Sequence, residues 1–199
     1  MSLIKKLSAR LQNHPKRIVY PEGADPRILQ AARQFSTRKL GVPILLGKRE
    51  KISEIAASID VRLDGMKIID PVSSDDFGEL CRLMKAFPRF KALDDDGIRN
   101  LVSNPNYYST LMVASGRADA MLAGATTVSS GALRPIFQII PLQKGFKTAS
   151  SIMILSTGRP EIGADGDLFL ADCGVIPEPD ERQLCDIALT TGMLANQLT

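Results

Sequence analysis

Short apolar segments alternate with helical patterns along the first two thirds of the chain. The predicted strands are Arg17–Tyr20, Val42–Leu46, Met66–Ile69 and Ala120–Ala123. This alternation is typical of a parallel sheet whose two faces are both covered by helices. We therefore predict an α/β fold, a three-layer α/β/α sandwich with a mostly parallel sheet.

The intervening helices are predicted from apolar residues at helical spacing. They cover the first dozen residues, a segment that Asp25 caps and Gly41 ends, and residues 51–58, 77–87, 93–102 and 107–115. In parallel sheets, ligands gather at the carboxyl ends of the strands. We therefore expect the loops that begin at Pro21, Asp70 and Gly124 to share one edge of the sheet.

The last part of the chain contains two further predicted strands, 150–155 and 167–172, joined by a hairpin-like connection, and a helix that Asp180 caps. A right-handed crossover after this helix would lead to another parallel strand, and no such strand follows. We therefore expect a first α/β domain at 1–145, incomplete without a returning segment, and the beginning of a second domain at 146–199. The alternative is that a partner chain covers the exposed face.

The stretch 118–145 is the best candidate for a ligand site. A strand ends there in a loop rich in glycine and hydroxyl residues, including Gly124, Thr127, Ser129 and Ser130. Glycines allow close approach to the main chain, and the N-terminus of a helix has unpaired N–H groups that favour an anion. The alternative is an ordinary βα turn whose Ser and Thr residues only cap a helix.

Arg134 follows this loop and carries a planar guanidinium that matches phosphate or carboxylate. Pro135 comes next, and the residue before a proline is biased away from the α region. We therefore expect either a helix that begins at Pro135 or a kink after Arg134.

Composition excludes some classes of function. The 25 basic and 22 acidic residues give a net charge of +3 without a basic block, and the chain has no Trp, so we expect no nucleic-acid partner. No apolar run approaches the length of a membrane span, and the N-terminus lacks the apolar core of a signal peptide. We expect a cytoplasmic protein that does not bind membranes.

The cysteines and acidic clusters do not suggest a metal site. Cys81, Cys173 and Cys185 have no CxxC spacing, and the only histidine, His14, is distant in sequence. We expect the three thiols to be buried in a reducing compartment. The run Asp94–Asp96 suits a helix N-terminus, whereas the alternative of a metal site requires consecutive carboxylates to face one ion.

Four segments together resemble the phosphate acetyltransferase family, whose members are also called phosphotransacetylases. They are 17–32 (RIVYPEGADPRILQAA), 104–125 (NPNYYSTLMVASGRADAMLAGA), 133–140 (LRPIFQII) and 168–191 (LFLADCGVIPEPDERQLCDIALTT). The resemblance implies two α/β domains, a fold similar to isocitrate and isopropylmalate dehydrogenases, and a homodimer. It implies a role in acetate metabolism, the reversible transfer of an acetyl group between coenzyme A and phosphate. The substrates are acetyl-CoA and phosphate, and the products are acetyl phosphate and coenzyme A. The resemblance implies no tightly bound cofactor and no metal.

The resemblance also suggests roles for individual residues. Arg134 matches a family arginine that holds the phosphate-bearing substrate or coenzyme A, and Gly124 matches the glycine-rich turn. Ser129 lies where the family commonly has a hydroxyl. A second family arginine, near the coenzyme phosphates, corresponds to the segment containing Arg89 and Lys91, either of which can supply the charge.

Two positions depart from the family, because Ala123 and Thr127 stand where relatives often carry Ser and His. This motivates an alternative, a non-catalytic module that binds acetyl-CoA or mediates oligomerisation; a third choice is phosphate butyryltransferase. The family's catalytic serine, arginine and aspartate correspond to positions beyond Thr199, so activity of the 199 residues alone stays open. Within the chain, Asp172 is either a general base or a structural cap.

Overall fold

A computed structural model describes residues 3–199 of the chain. The chain divides into two compact units, Leu11–Pro141 and Leu142–Thr199, the latter together with the N-terminal residues up to Arg10. The predicted division at residue 145 differs in placing the N-terminal residues with the first domain. Within residues 3–199, no helix has both the length and the apolar character that a membrane span requires.

The larger unit is built on a parallel sheet of four strands. They are β1 (Lys16–Tyr20), β2 (Gly41–Leu46), β3 (Lys67–Ile69) and β4 (Ala120–Met121), in the order β3-β2-β1-β4. Ile18 of β1 lies opposite Pro43 on one side and Ala120 on the other. The predicted parallel sheet is confirmed, although β4 has two residues instead of the four of Ala120–Ala123.

Eight α-helices are found among residues 3–199. They are α1 (Leu3–Asn13), α2 (Pro26–Thr37), α3 (Arg49–Ser58), α4 (Phe77–Ala86), α5 (Asp95–Ser103), α6 (Pro105–Ala114), α7 (Ser129–Ile139) and α8 (Glu181–Leu198). Short 3-10 turns lie at Pro71–Ser73 and Pro88–Phe90. Asp25 caps α2 by accepting a hydrogen bond from the N–H of Arg27, as its position before Pro26 predicts.

Both faces of the sheet are buried under helices. One face presents Val19, Ile44 and Ile69 to a core completed by α4, α5 and α6, with contributions from Leu80, Met84, Val102, Tyr108 and Leu111. The opposite face presents Tyr20 and Leu45 to α2 and α3, with contributions from Leu29, Ala32, Ile52 and Ala56. Burial on two faces explains the apolar runs 18–20 and 43–46 within β1 and β2.

The prediction that Gly41 ends a helix is wrong. Helix α2 ends at Thr37, the turn is made by Lys39 with a φ of 58°, and Gly41 is the first residue of β2. A Cβ atom on Gly41 would lie 1.8 Å from the carbonyl oxygen of Lys16. Glycine is therefore needed here because β1 and β2 approach each other too closely for a side chain.

The smaller unit contains an antiparallel pair, β5 (Met153–Ser156) and β6 (Asp167–Leu170), both shorter than predicted. Asp180 forms a capping box with Gln183 at the start of α8. The prediction of buried thiols is wrong for two of the three cysteines. Cys173 is exposed because β6 ends at Leu170 and leaves it in a loop, and Cys185 is exposed on α8; Cys81 is partly buried.

Candidate functional site

The strongest candidate site lies at the carboxyl edge of the sheet, where the parallel strands β1 to β4 end. A pocket of about 690 Å³ opens there, which we call the edge pocket. Its walls are Pro21–Pro26, Leu46, Lys51, Ile55, Asn104–Asn106, Thr126, Thr127 and Gly131. The loops after β1 and β4 therefore meet, as the topology predicts. Asp70, after β3, lines a separate pocket of about 400 Å³, because β2 lies between β3 and β1.

The carboxylate of Glu22 is held by the loop that follows β4. Its Oε2 accepts hydrogen bonds from the N–H groups of Gly124 at 2.9 Å and Ala125 at 2.8 Å. Its Oε1 accepts from the N–H of Thr126 at 2.5 Å, from the Thr126 hydroxyl at 2.8 Å and from the N–H of Thr127 at 2.6 Å. Four successive amides thus point at one anion, which is the geometry of a backbone nest.

This arrangement lowers the pKa of Glu22 to about 2. Partial desolvation alone would raise the pKa, but the hydrogen bonds from Thr126, Ala125 and Thr127 outweigh it. The loop amides hold an anion, which in this structure is the Glu22 carboxylate of the same chain, whereas the sequence predicts a bound phosphate. A phosphate would compete with Glu22 for the amides of Gly124 and Thr127, so their part in phosphate binding stays a prediction.

The Glu22 contacts predict a pH-dependent stability. Because the folded pKa lies below the ordinary value of 4.5, the contribution is complete above pH 4.5 and is lost as the pH falls toward 2. Since solvent screens this half-buried carboxylate, we expect Glu22→Gln to lower the unfolding free energy by on the order of 1 to 2 kcal/mol at pH 7. The difference from wild type should shrink below pH 4.5.

Urea unfolding between pH 7 and pH 3 measures this effect. Glu54→Gln is the matched control, because Glu54 is exposed on α3 and its carboxylate makes no hydrogen bond or ion pair within residues 3–199. Equal pH profiles for Glu22→Gln and wild type would contradict the role given to Glu22.

Arg27 joins the same two loops a second time. Its guanidinium binds both carboxylate oxygens of Asp25, at 3.0 and 2.9 Å, and donates to the carbonyl oxygen of Ala125 at 2.7 Å. Asp25 and Ala125 are far apart in sequence, so this contact fixes the loop after β4 against the start of α2. Neither Glu22 nor Arg27 was singled out by the sequence patterns, although both follow β1 at the predicted ligand edge.

Helix α7 begins at Ser129, six residues before Pro135, so the first of the two predicted alternatives, a start at Pro135, is wrong, and the second, a kink after Arg134, stays a prediction. The bias against a helical residue before proline is overcome because Pro135 and Ile139, one turn apart, are both buried on one face of the helix. Val128 occupies the N-cap position and provides no side-chain hydrogen bond. The N-terminus of α7 therefore lacks a side-chain cap.

Arg134, Ser129 and Ser130 lie on the first turns of α7 and all three are exposed, but none of them lines the edge pocket. Ser130 and Arg134 are four residues apart and therefore share a helix face. Within residues 3–199, the guanidinium of Arg134 forms no ion pair or hydrogen bond. It is a cation available to a ligand.

Arg89 and Lys91 lie elsewhere in the larger unit. Arg89 belongs to the 3-10 turn after α4 and Lys91 follows that turn; both side chains are exposed. Neither residue lines the edge pocket. The structure therefore does not bring them to the site formed by the loops after β1 and β4, and their role in coenzyme binding stays a prediction.

Asp172 in the smaller unit has the contacts of a structural clamp. Its Oδ1 accepts from the N–H of Ser151 at 2.8 Å and from the Ser151 hydroxyl, and its Oδ2 accepts from the N–H groups of Val175 at 3.0 Å and Ile176 at 2.6 Å. Desolvation would raise the pKa of Asp172, but these hydrogen bonds reverse the shift and hold it far below its ordinary value. A carboxylate so strongly stabilised is a poor proton acceptor.

The acidic run before α5 has structural partners. Asp94 caps the helix by accepting from the N–H of Gly97 at 2.8 Å, and Asp95 forms an ion pair with Lys85. These contacts agree with the predicted helix cap. Across residues 3–199, no three His, Cys, Asp or Glu side chains are grouped so as to hold a metal ion.

Fold and site together define an α/β protein with an anion-binding loop and an arginine-bearing helix at the carboxyl edge of a parallel sheet. The family model described as "Phosphate acetyl/butaryl transferase" matches residues 2–199. The chain belongs to this phosphate acetyl/butyryl transferase family.

Two curated relatives are phosphate acetyltransferases. The protein of Acetivibrio thermocellus is 31% identical over 190 residues, covering 96% of this chain and 57% of the relative. The protein of Thermoanaerobacterium thermosaccharolyticum is 31% identical over 198 residues, covering 100% of this chain and 60% of the relative. The chain thus spans less than two thirds of the length of these relatives.

Two solved structures are similar to the whole described fold. The EutD phosphotransacetylase from Staphylococcus aureus matches with a TM-score of 0.87 and 29% identity, over 98% of this chain and 57% of its own. A phosphotransacetylase from Streptococcus pyogenes matches with a TM-score of 0.88 and 25% identity, over 100% of this chain and 60% of its own.

Proposed function

We propose that the protein takes part in reversible transfer of an acetyl group between coenzyme A and inorganic phosphate. In the forward direction, a phosphate oxygen attacks the thioester carbonyl of acetyl-CoA, the C–S bond breaks, and acetyl phosphate and coenzyme A are released. Family membership supports acyl transfer to phosphate. The preference for acetyl over butyryl is supported by the segment 133–140 and by the names of the two curated relatives.

The observation that carries the proposal is the exposed guanidinium of Arg134, which has no partner within residues 3–199. It stands on a helix whose N-terminus has no side-chain cap and carries two exposed hydroxyls, those of Ser129 and Ser130. Guanidinium, hydroxyl and helix N-terminus all favour a phosphate group. The chain therefore offers what is needed to neutralise and orient the phosphate.

The reaction also needs a group that accepts a proton and a hydrogen-bond donor that stabilises the tetrahedral oxyanion. Asp172 is unsuited to the first role because its carboxylate is committed to the amides around it. We propose that both roles belong to groups equivalent to the serine, arginine and aspartate that the family uses. We further propose that the protein is a cytoplasmic homodimer and that its fold is similar to that of isocitrate and isopropylmalate dehydrogenases.

A phosphate-dependent release of coenzyme A from acetyl-CoA, measured on the protein isolated from its native host, tests this function. We expect kcat/KM for acetyl-CoA to exceed that for butyryl-CoA by at least roughly tenfold, because two added methylenes must fit the acyl site. Thiol release that is equally fast without phosphate would contradict phosphate as acceptor. A butyryl preference would favour phosphate butyryltransferase.

The second candidate function is binding of acetyl-CoA without turnover. It is favoured by the carboxylate of Glu22, which occupies the loop amides where an anion would bind, and by Ala123 and Thr127. Calorimetry with coenzyme A beside the phosphate-dependent assay separates the two candidates. If the protein from its native host binds coenzyme A without turnover, the result would support a non-catalytic acetyl-CoA-binding module.

A further inference from the structure

Two side chains hold residues 123–127 of the loop that joins β4 to α7. Every hydrogen bond that this segment forms within residues 3–199 goes to Glu22 or Arg27. The helix that follows has no side-chain hydrogen bond at its N-cap, Val128. The N-terminal end of α7 is therefore anchored to the end of β1 through these two side chains, and Glu22 makes five of the contacts.

Glu22 itself stands on a rigid support. It follows the end of β1, and its neighbours Pro21 and Gly23 are both buried. A Cβ atom on Gly23 would lie 2.6 Å from the carbonyl oxygen and 2.8 Å from the nitrogen of Leu46, the last residue of β2. The main chain beside Glu22 is thus packed directly against the main chain of the sheet. The Glu22 carboxylate is therefore a fixed point to which the loop is tied.

Helix α7 is fixed at a second place, in its C-terminal half, where Pro135 and Ile139 are buried. Arg134 lies between this packed half and Thr127, whose N–H donates to Glu22 at 2.6 Å. A helix with one attachment can pivot, whereas two attachments set its direction. The direction in which Arg134 leaves the helix therefore depends on Glu22.

The Glu22 carboxylate is better suited to stay on the loop amides than to be exchanged for a free anion. It is tied to the same chain, so it competes at a high effective concentration. An incoming anion would have to separate it from five hydrogen bonds and then remain beside a second negative charge. Arg27 cannot neutralise that charge without leaving Asp25 and Ala125, which its guanidinium already binds.

We propose that Glu22 is a positioning residue for the proposed phosphate-dependent acyl transfer. Its carboxylate occupies the loop amides permanently and sets the direction of α7, so that Arg134 meets the substrate phosphate in the correct orientation. The proposal rests on the proposed function and goes beyond it, because it assigns the loop amides to Glu22 and leaves phosphate recognition to α7. Glu22 touches no substrate and transfers no proton.

Glu22→Gln distinguishes positioning from two alternatives. The KM for phosphate and the Kd for phosphate from calorimetry are measured on the protein expressed in its native host. We expect both constants to rise about tenfold, because the glutamine NH₂ group faces amide donors and releases the loop. A carboxylate that merely stood in for a bound anion would give the opposite result, tighter phosphate binding. A purely structural role would leave both constants unchanged, because partial unfolding lowers the amount of active protein and not its affinity. Either of these two results overturns the proposal.

A double-mutant cycle with Arg134→Ala tests whether Glu22 acts through Arg134. In the Arg134→Ala background, Glu22→Gln should change the KM for phosphate by less than about twofold, and equal effects in both backgrounds would overturn the proposal. Thr126→Val is a milder variant that removes one hydroxyl donor and keeps the carboxylate. It should raise the KM for phosphate about threefold. Glu54→Gln is again the matched control and should equal wild type.

Failure of the proposed function has a different signature. It appears as absent phosphate-dependent turnover in wild type, and the Kd for inorganic phosphate then decides on Glu22 alone. Weaker binding by Glu22→Gln than by wild type supports the positioning role. Unchanged or tighter binding by this variant, or no binding by wild type, overturns it.

Discussion

Replacing Arg134 with alanine is expected to lower phosphate-dependent coenzyme A release at least about a hundredfold. The guanidinium is exposed on α7 and forms no ion pair or hydrogen bond within residues 3–199, so its removal should cost the fold little. A charge-assisted, two-pronged contact to a phosphate in a reacting complex is among the strongest that a side chain can make. The rate is measured on the protein from its native host.

Two variants control for charge and for structure. Arg134→Lys keeps a cation and loses the planar fork, so its rate should lie between those of wild type and Arg134→Ala. Arg62→Ala removes another exposed arginine without an ion pair among the described residues and should retain wild-type turnover. Undiminished turnover in Arg134→Ala would contradict the assignment of Arg134 to phosphate binding.

Replacing Gly41 with alanine is expected to destabilise the 199-residue chain by about 3 kcal/mol or more. The added Cβ would lie 1.8 Å from the carbonyl oxygen of Lys16 and 2.7 Å from its nitrogen. Both atoms belong to the main chain of β1, so no side-chain rotation relieves the clash, and the parallel pair of β1 and β2 must move apart. Urea unfolding at pH 7 measures the loss.

Gly78→Ala is the matched control for this substitution. Gly78 lies in α4, and a Cβ there meets no atom within 4 Å. Alanine has the higher helix propensity, so this variant should be as stable as wild type or more stable by about 0.5 to 1 kcal/mol. If Gly41→Ala unfolds at the same urea concentration as wild type, the close approach of β1 and β2 is wrong.

The sheet was predictable because its signals are local and mutually consistent. Strands buried on two faces read as unbroken apolar runs, and the caps at Asp25, Asp94 and Asp180 mark where helices begin. Chain direction then follows from the alternation of strands and helices, and it places the loops after β1 and β4 at one edge. These steps need no knowledge of contacts distant in sequence.

The interior of the site was not predictable in the same way. Glu22 and the loop Gly124–Thr127 are separated by more than 100 residues, and no local pattern indicates that a glutamate will occupy those amides. The sequence patterns indicated an anion-binding loop, and a long-range contact decides which anion binds in the structure. Pro135 is a second case, because its burial outweighs the local bias against a helical residue before it.

Resonances of arginine side chains test the central claim most directly, namely that a phosphate binds at Arg134. The 199-residue chain, labelled with ¹⁵N, is titrated with inorganic phosphate and with coenzyme A while the arginine Nε–H signals are followed, and Arg134→Lys identifies the signal of Arg134. We predict that this signal shifts in a saturable manner with one or both ligands, whereas that of Arg62 stays in place. A signal of Arg134 that is unmoved by both ligands would contradict the account.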